Sequence, residues 1–197
     1  MTIVTLPDWP GPAKADWREQ DFGGTLPGLL GGPTDRDNRL GNRWAIDVKL
    51  PQMSARAAMA WSADLSLGLK QRVRWRLRQL GLPPGPIGAP LVDGAEQMGM
   101  SLAAAGFTPG AAWEKGQFIG VVSGGRSRLY KLAAGGFADA EGEGVLALTT
   151  ALRAVPGDED VIDFAPSIEG LLSGDAVRWT IDNLRLGHVA FAIDEDS

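Results

Sequence analysis

The side chains that could do chemistry are few, and the first is a lone histidine. His188 is the only imidazole in 197 residues, Tyr130 is the only phenol, and there is no cysteine. A Ser-His-Asp arrangement would have to use His188, yet the chain lacks the G-x-S-x-G turn that exposes a nucleophilic serine. His188 follows a glycine at the start of an alternating segment, the setting of a hydrogen-bonded structural histidine. With one histidine and no thiolate, a nitrogen- or sulfur-ligated metal is not expected. The carboxylates gather in DAEGE (139–143) and DEDVID (158–163). Neither has the D-x-D-x-D-G spacing that closes oxygens around a hard cation, so both read as solvated turns. GVVSGGR (120–126) carries glycines without a GK[ST] ending and does not read as a phosphate cradle. These residues predict no enzyme, no cofactor and no bound metal.

One pattern is different in kind. RVRWRLRQL (72–80) sets Arg72, Arg74, Arg76 and Arg78 at every second position, with Val73, Trp75 and Leu77 between them. Successive side chains of a strand point to opposite faces, so the stretch predicts a strand with one basic and one apolar face. The whole chain carries a net charge of −5 and a pI near 4.9, unlike a protein built to grip nucleic acid or an anionic membrane. Three uses of the stripe follow. A nucleic-acid surface wants aromatics on the cationic face, whereas Trp75 points away from it. An edge strand uses charge to discourage pairing with other chains. A subunit interface uses the planar arginine fork to pair with carboxylates, and the chain has 24 of them.

The elements that must position these residues are short. Glycine (27) and proline (13) punctuate the chain as in β-rich folds, while 44% hydrophobic and 22% charged residues are ordinary for a globular protein. RWAIDVKLP (43–51) alternates as a half-buried strand. SARAAMAWSADLSLGL follows as a helix with Ser54 as N-cap, Ala58, Trp61 and Leu65 on one side, and Gly68 as its closing left-handed residue. After the arginine strand, LPPGPIGAP (82–90) breaks the chain. Strands are then predicted at 117–122, 128–133, 144–152 and 161–166, spaced as in a small antiparallel barrel or sandwich. VRWTIDNL (177–184) repeats the R-W-x-I-D of RWAIDVKL, and HVAFAIDE (188–195) points Val189, Phe191 and Ile193 inward. Strands of one style at both ends predict one sheet with an insertion between them.

The expected fold is therefore mainly β with one α-helix. A β-sandwich domain (42–87 and 169–197) carries an inserted small antiparallel barrel or sandwich domain (88–168). Residues 1–41 form an extended N-terminal arm, whose Leu26, Leu29 and Leu30 predict that it packs against something. The N-terminal stretch lacks the basic-then-apolar pattern of a signal peptide, and no apolar run approaches the ~20 residues that span a membrane. The expectation is a soluble, cytoplasm-made protein.

The motif order runs RWAIDVKLP, the helix, the arginine strand, a loop ending PLVDGAEQMGMSLAAAGF, KGQFIGV, SRLYKLAAGGFADAEGEGVLALTTALRAVPGDEDVI, then VRWTID. This order resembles the distal tail and tail-tip structural proteins of siphovirus-type bacteriophages and related prophages, over residues 40–195. In the middle segment the likeness rests on Gly116, Ile119, Arg128 to Lys131, Val145 to Leu148, and Leu152, Arg153 and Pro156. The resemblance implies a β-sandwich with a helix that assembles into a hexameric ring at the end of the tail tube, an inserted β-domain pointing outward. Such a ring joins the tail tube protein to the baseplate hub protein and leaves a lumen through which DNA passes without specific binding. The implied location is the virion tail tip. In a heterologous ring the basic strand of one protomer, with Arg72, Arg74, Arg76 and Arg78, would meet carboxylates of the next. Two other functions stay open. One is a carbohydrate-binding tail module, with Trp113, Phe118 and Tyr130 as a stacking platform for host-surface glycans. The other is a neck or tail-terminator ring.

Overall fold

The computed structural model describes residues 2–27, 32, 34–37 and 41–196. The chain opens with β1 (Ile3–Thr5), β2 (Lys14–Gln20), β3 (Gly24–Leu26), β4 (Asp35–Asp37), β5 (Arg43–Lys49) and β6 (Met53–Ser54). The helix α1 (Ala55–Gly68) and β7 (Arg72–Arg76) follow. Next come β8 (Gly88–Val92), β9 (Ser101–Phe107), β10 (Ala112–Trp113), β11 (Phe118–Ser123), β12 (Arg126–Lys131), β13 (Gly136–Phe137), β14 (Gly144–Ala147) and β15 (Val161–Asp163). The chain ends with β16 (Ser167–Leu172), β17 (Arg178–Ile181) and β18 (Leu186–Glu195). Strands hold 46% of the chain beside a single described helix, so the molecule is mainly β with one α-helix, of β-sandwich type.

Eight strands form the first sheet, in the order β1-β7-β16-β18-β5-β2, with β17 and β6 paired to β18. Alternation builds its core: Trp44, Ile46 and Val48 of β5 are buried with Val73 and Trp75 of β7 and Val189 and Ile193 of β18. The helix covers part of this apolar face. Its N-terminus is capped by the Ser54 hydroxyl, which accepts from the Ala57 N–H at 3.3 Å. Ala58, Trp61 and Leu65 are buried, and Trp61 stacks on Phe191 with ring centroids 5.7 Å apart. Gly68 is not a left-handed cap. It is the last helical residue, and Leu69 caps the helix in the right-handed region. A Cβ at Gly68 would lie 2.5 Å from Val73 Cγ1, so glycine is there to let the helix end approach β7.

Six strands form the second sheet, in the order β12-β11-β15-β8-β9-β14, all from residues 88–163. It curls until its two ends meet beyond the strands proper. Leu132 and Leu148 form a bridge, Ala133 N–H donates to Ala147 O at 2.8 Å, and Thr149 N–H donates to Lys131 O at 2.9 Å. Inside the curl lie Phe107, Trp113, Ile119, Tyr130, Leu146 and Phe164. The β11–β12 hairpin turns on Gly124 (φ +58°) and Gly125 (φ +76°), the pair of positive φ values that a tight hairpin of right-handed twist needs.

Several expectations need correction. Residues 3–5 and 14–20 are not an arm: β1 pairs in parallel with β7, and β2 pairs along its whole length with β5. Charges fill the outward positions of β2 and mask its inward Ala15 and Trp17. Leu26 is exposed on the β3–β4 hairpin, while Leu29 and Leu30 lie outside the described residues. The strands β8, β9 and β16 lie where the sequence predicts none. Pro90 lies where the β8–β9 register shifts, the irregular place in a sheet that accepts proline. The R-W-x-I-D likeness is also half a likeness. Both copies lie in the first sheet, yet Trp44 is buried while Trp179 is 42% exposed.

Candidate interaction surface at the arginine strand

The alternation of β7 places Val73, Trp75 and Leu77 in the core, with the arginines on the other face. The strand is not an edge. It lies between β1 and β16, so edge protection is not the reason for its charge.

The four arginines divide two and two. Arg72 forms an ion pair with Asp196, whose carboxylate also lies 3.8 Å from Arg126. Arg74 faces its cross-strand neighbour Glu169 and contacts its Oε1 from both Nε (2.7 Å) and a terminal nitrogen (2.6 Å). These two therefore meet carboxylates of their own chain, not of another. Arg76 is exposed and makes no ion pair among the described residues. Arg78, past the strand's end, donates to the Asp8 carbonyl at 2.9 Å and lies over the Trp9 ring at 5.4 Å.

Glu169 is only 3% exposed, which makes Arg74 a folding residue. Arg74→Glu would strip Glu169 of its partner and set a second carboxylate beside it. Breaking a buried ion pair costs ~3–5 kcal/mol, and Arg74's own partial exposure brings the expected loss to about 2–3 kcal/mol. Arg76→Glu should stay within about 0.5 kcal/mol of the parent, as surface changes do. Urea unfolding of the two variants checks the split; equal losses would contradict it.

A second ion pair ties the two sheets together. The Glu195 and Arg153 side chains, 1% and 4% exposed, meet at 2.5 Å. Glu195 Oε2 also accepts from the Trp44 N–H of β5 (3.0 Å), and Oε1 from the Leu129 N–H of β12 (2.8 Å). Arg153 donates to the Leu129 carbonyl at 2.9 Å and lies over the Tyr130 ring at 5.2 Å. Burial works against the guanidinium charge, but the hydrogen bond and charge of Glu195 outweigh it and raise Arg153 above its ordinary pKa. Gln79 makes a polar joint nearby: its amide accepts from Phe118 N–H (2.6 Å) and donates to the carbonyls of Phe118 (2.8 Å) and Phe164 (2.9 Å).

The aromatic trio does not form a platform. Trp113 stacks on Phe107 inside the curled sheet, and Tyr130 is buried there too, its hydroxyl accepting from the Arg153 N–H at 3.0 Å. Phe118 lies between the sheets, stacked on Trp17 at 4.7 Å and edge-on to Trp44 at 4.9 Å. The rings of Trp113 and Tyr130 have no face open to a sugar. His188 is exposed, with no side-chain hydrogen bond among the described residues, so the structural role expected for it is not what positions it. The acidic clusters are turns: the Asp139 carboxylate accepts from Glu141 and Glu143 N–H, and Asp160 accepts from Gly157 N–H. Glu169, Glu195 and Gln79 carried no sequence signal. Arg153 carried one, a single charge inside the otherwise uncharged run TTALRAV.

Beside Arg76 and Arg78 lies a groove. Leu91, Val161 and Val122 are cross-strand neighbours on the outer face of the second sheet. With Pro84, Pro90 and Ala165 they line a hollow of about 450 Å³. A further hollow of about 250 Å³ shares Pro84 and Ala165 and ends at Arg76, Arg78 and Asp8. The arrangement is a shallow, mostly apolar trough that also holds Asp163, with Arg76 and Arg78 at one end. Among the described residues, no group of three or more His, Asp or Glu side chains is placed to hold a metal ion. Comparison of the chain with models of known families gives no match, and comparison with curated proteins gives none either.

Proposed function

We propose that the chain is a virion structural protein, a ring-forming distal tail adaptor of a siphovirus-type bacteriophage. In this reading copies of the chain close into a ring, expected to be a hexamer, between the tail tube protein and the baseplate hub protein. DNA passes through the lumen without specific binding. The role is scaffolding, not catalysis, and the place of action is the tail tip of the virion.

One observation carries the reading. Every strand of the six-stranded sheet lies in the chain between β7 and β16, which are hydrogen-bonded neighbours in the eight-stranded sheet. The second sheet thus leaves and re-enters the first through adjacent strands, as a β-unit inserted into a sheet-and-helix base. A plain tube or terminator subunit has little use for such an addition. The resemblance in motif order supports the phage-tail part of the reading, and the exposed trough favours assembly.

Electron microscopy of the full-length purified chain, with antibody labelling of intact phage, tests this. Rings with an open centre and label at the tail tip are expected. Label at the neck, or a chain that stays monomeric at every concentration reached, would overturn it.

A further inference from the structure

Two surfaces are unexplained by the fold of one chain. The first is the apolar trough with Arg76 and Arg78 at its end. The second is the tip from the end of β13 to the start of β14. Phe137 is 75% exposed there, and Asp139, Glu141 and Glu143 beside it are all at the surface. The tip is held in shape. Asp139 accepts from Glu141 N–H (3.1 Å) and Glu143 N–H (2.7 Å), and its own N–H donates to Glu143 O at 2.9 Å. Phe107 N–H donates to Gly142 O at 3.0 Å and ties the tip to β9. The Phe137 ring, held on β13 by its pairing with Ala112 and followed directly by the pre-formed turn, adds no burial to the monomer's core. An aromatic anchor seated in an apolar hollow is where an interface concentrates its energy, and a pre-formed tip loses little entropy on docking.

We propose that the Phe137–Glu143 tip of one copy docks in the trough of a second copy. The Phe137 ring meets Leu91, Val122 and Val161, and the acidic turn meets Arg76 and Arg78. This rests on the ring-forming reading and names its contact. Charge selects the occupant. At net −5 two copies repel, so attraction needs a place where cations of one face carboxylates of the other. The trough's end sets Arg76 and Arg78 against the carboxylate of Asp8, and Asp163 farther along accepts from the Ala165 N–H of its own turn, while the tip presents three carboxylates and no cation. Tip and trough are different patches of one chain. Their contact is heterologous, which builds a ring if the rotation closes and a filament if it does not.

Sedimentation velocity and electron microscopy of the full chain test the contact. Wild type should assemble. Phe137→Ser and the double variant Arg76→Glu/Val161→Asp should each sediment as monomers with the parent's circular dichroism and melting temperature. Mixed in equal amounts, the variants retain one good trough and one good tip, so they should pair into dimers and stop. If the double variant melts early, Arg76→Glu alone replaces it. Should both variants assemble like wild type, the tip–trough contact is wrong while the ring reading stands. Should the variants behave as expected but wild type form open filaments, the contact stands and the ring reading falls. A mixture that stays monomeric overturns the contact, and a monomeric wild type overturns both.

Discussion

Arg153→Met is expected to lower the stability of the chain by about 3–5 kcal/mol, because it leaves the Glu195 carboxylate buried with its charge uncompensated. The two backbone N–H groups of Trp44 and Leu129 would remain as donors, but neither brings a full positive charge. The loss should exceed that of an ordinary surface ion pair, ~0–1 kcal/mol, several-fold. A double variant, Arg153→Met with Glu195→Gln, removes the stranded charge and should recover part of the loss. Urea unfolding supplies the energies, and the double-mutant comparison isolates the pair from the packing of the arginine stem. A single-variant loss below about 1 kcal/mol would mean that the pair is not a buried latch. Amide exchange at Leu129 and Trp44 offers an independent reading. Both should exchange faster in Arg153→Met if Glu195 no longer holds the second sheet against the first.

Trp61→Ala should cost a similar amount, about 3–5 kcal/mol, by a different route. Trp61 is among the largest fully buried side chains and joins the helix to the first sheet through its stack on Phe191. Phe191 also meets Trp75 edge-on at 5.6 Å, so one ring links helix, β18 and the arginine strand. Truncation leaves a cavity that Ala58 and Leu65 are too small to fill. Thermal unfolding should show the loss, and amide exchange at Ile119, Leu146 and Ile162, whose apolar cluster is separate from that of Trp61, should stay unchanged. Equal loosening of both sheets would show that the helix supports more than the first. The contrast with Arg153 is the useful part: one residue holds a core together, and the other holds two cores to each other.

These two residues also mark how far the sequence can be read. Trp61 was legible, because Ala58, Trp61 and Leu65 recur at helical spacing and one face of a helix must be buried. The alternation of RVRWR and of HVAFAIDE was legible for the same reason, since period two is a property of neighbouring residues. The β16 strand was not. SIEGLL buries Glu169 beside Ile168 and Gly170, so it shows no polar face, and its central place comes from lying between β7 and β18. Nor could R-W-x-I-D distinguish its two copies. Trp44 is covered by Phe118 of the second sheet, whereas Trp179 lies on a strand paired along one edge.

By itself the amino-acid sequence determined the mainly β class, the one helix with its cap, the single basic face of β7 and the likeness in motif order. Each of these is written in residues close together along the chain. Tertiary structure alone decided that Arg72 and Arg74 are spent on Asp196 and Glu169 while Arg76 and Arg78 face outward, and that Glu195 reaches Arg153. Those partners lie 42 to 124 residues apart. Whether a charge is paired or open depends on what the fold carries to it, and no spacing along the chain records that.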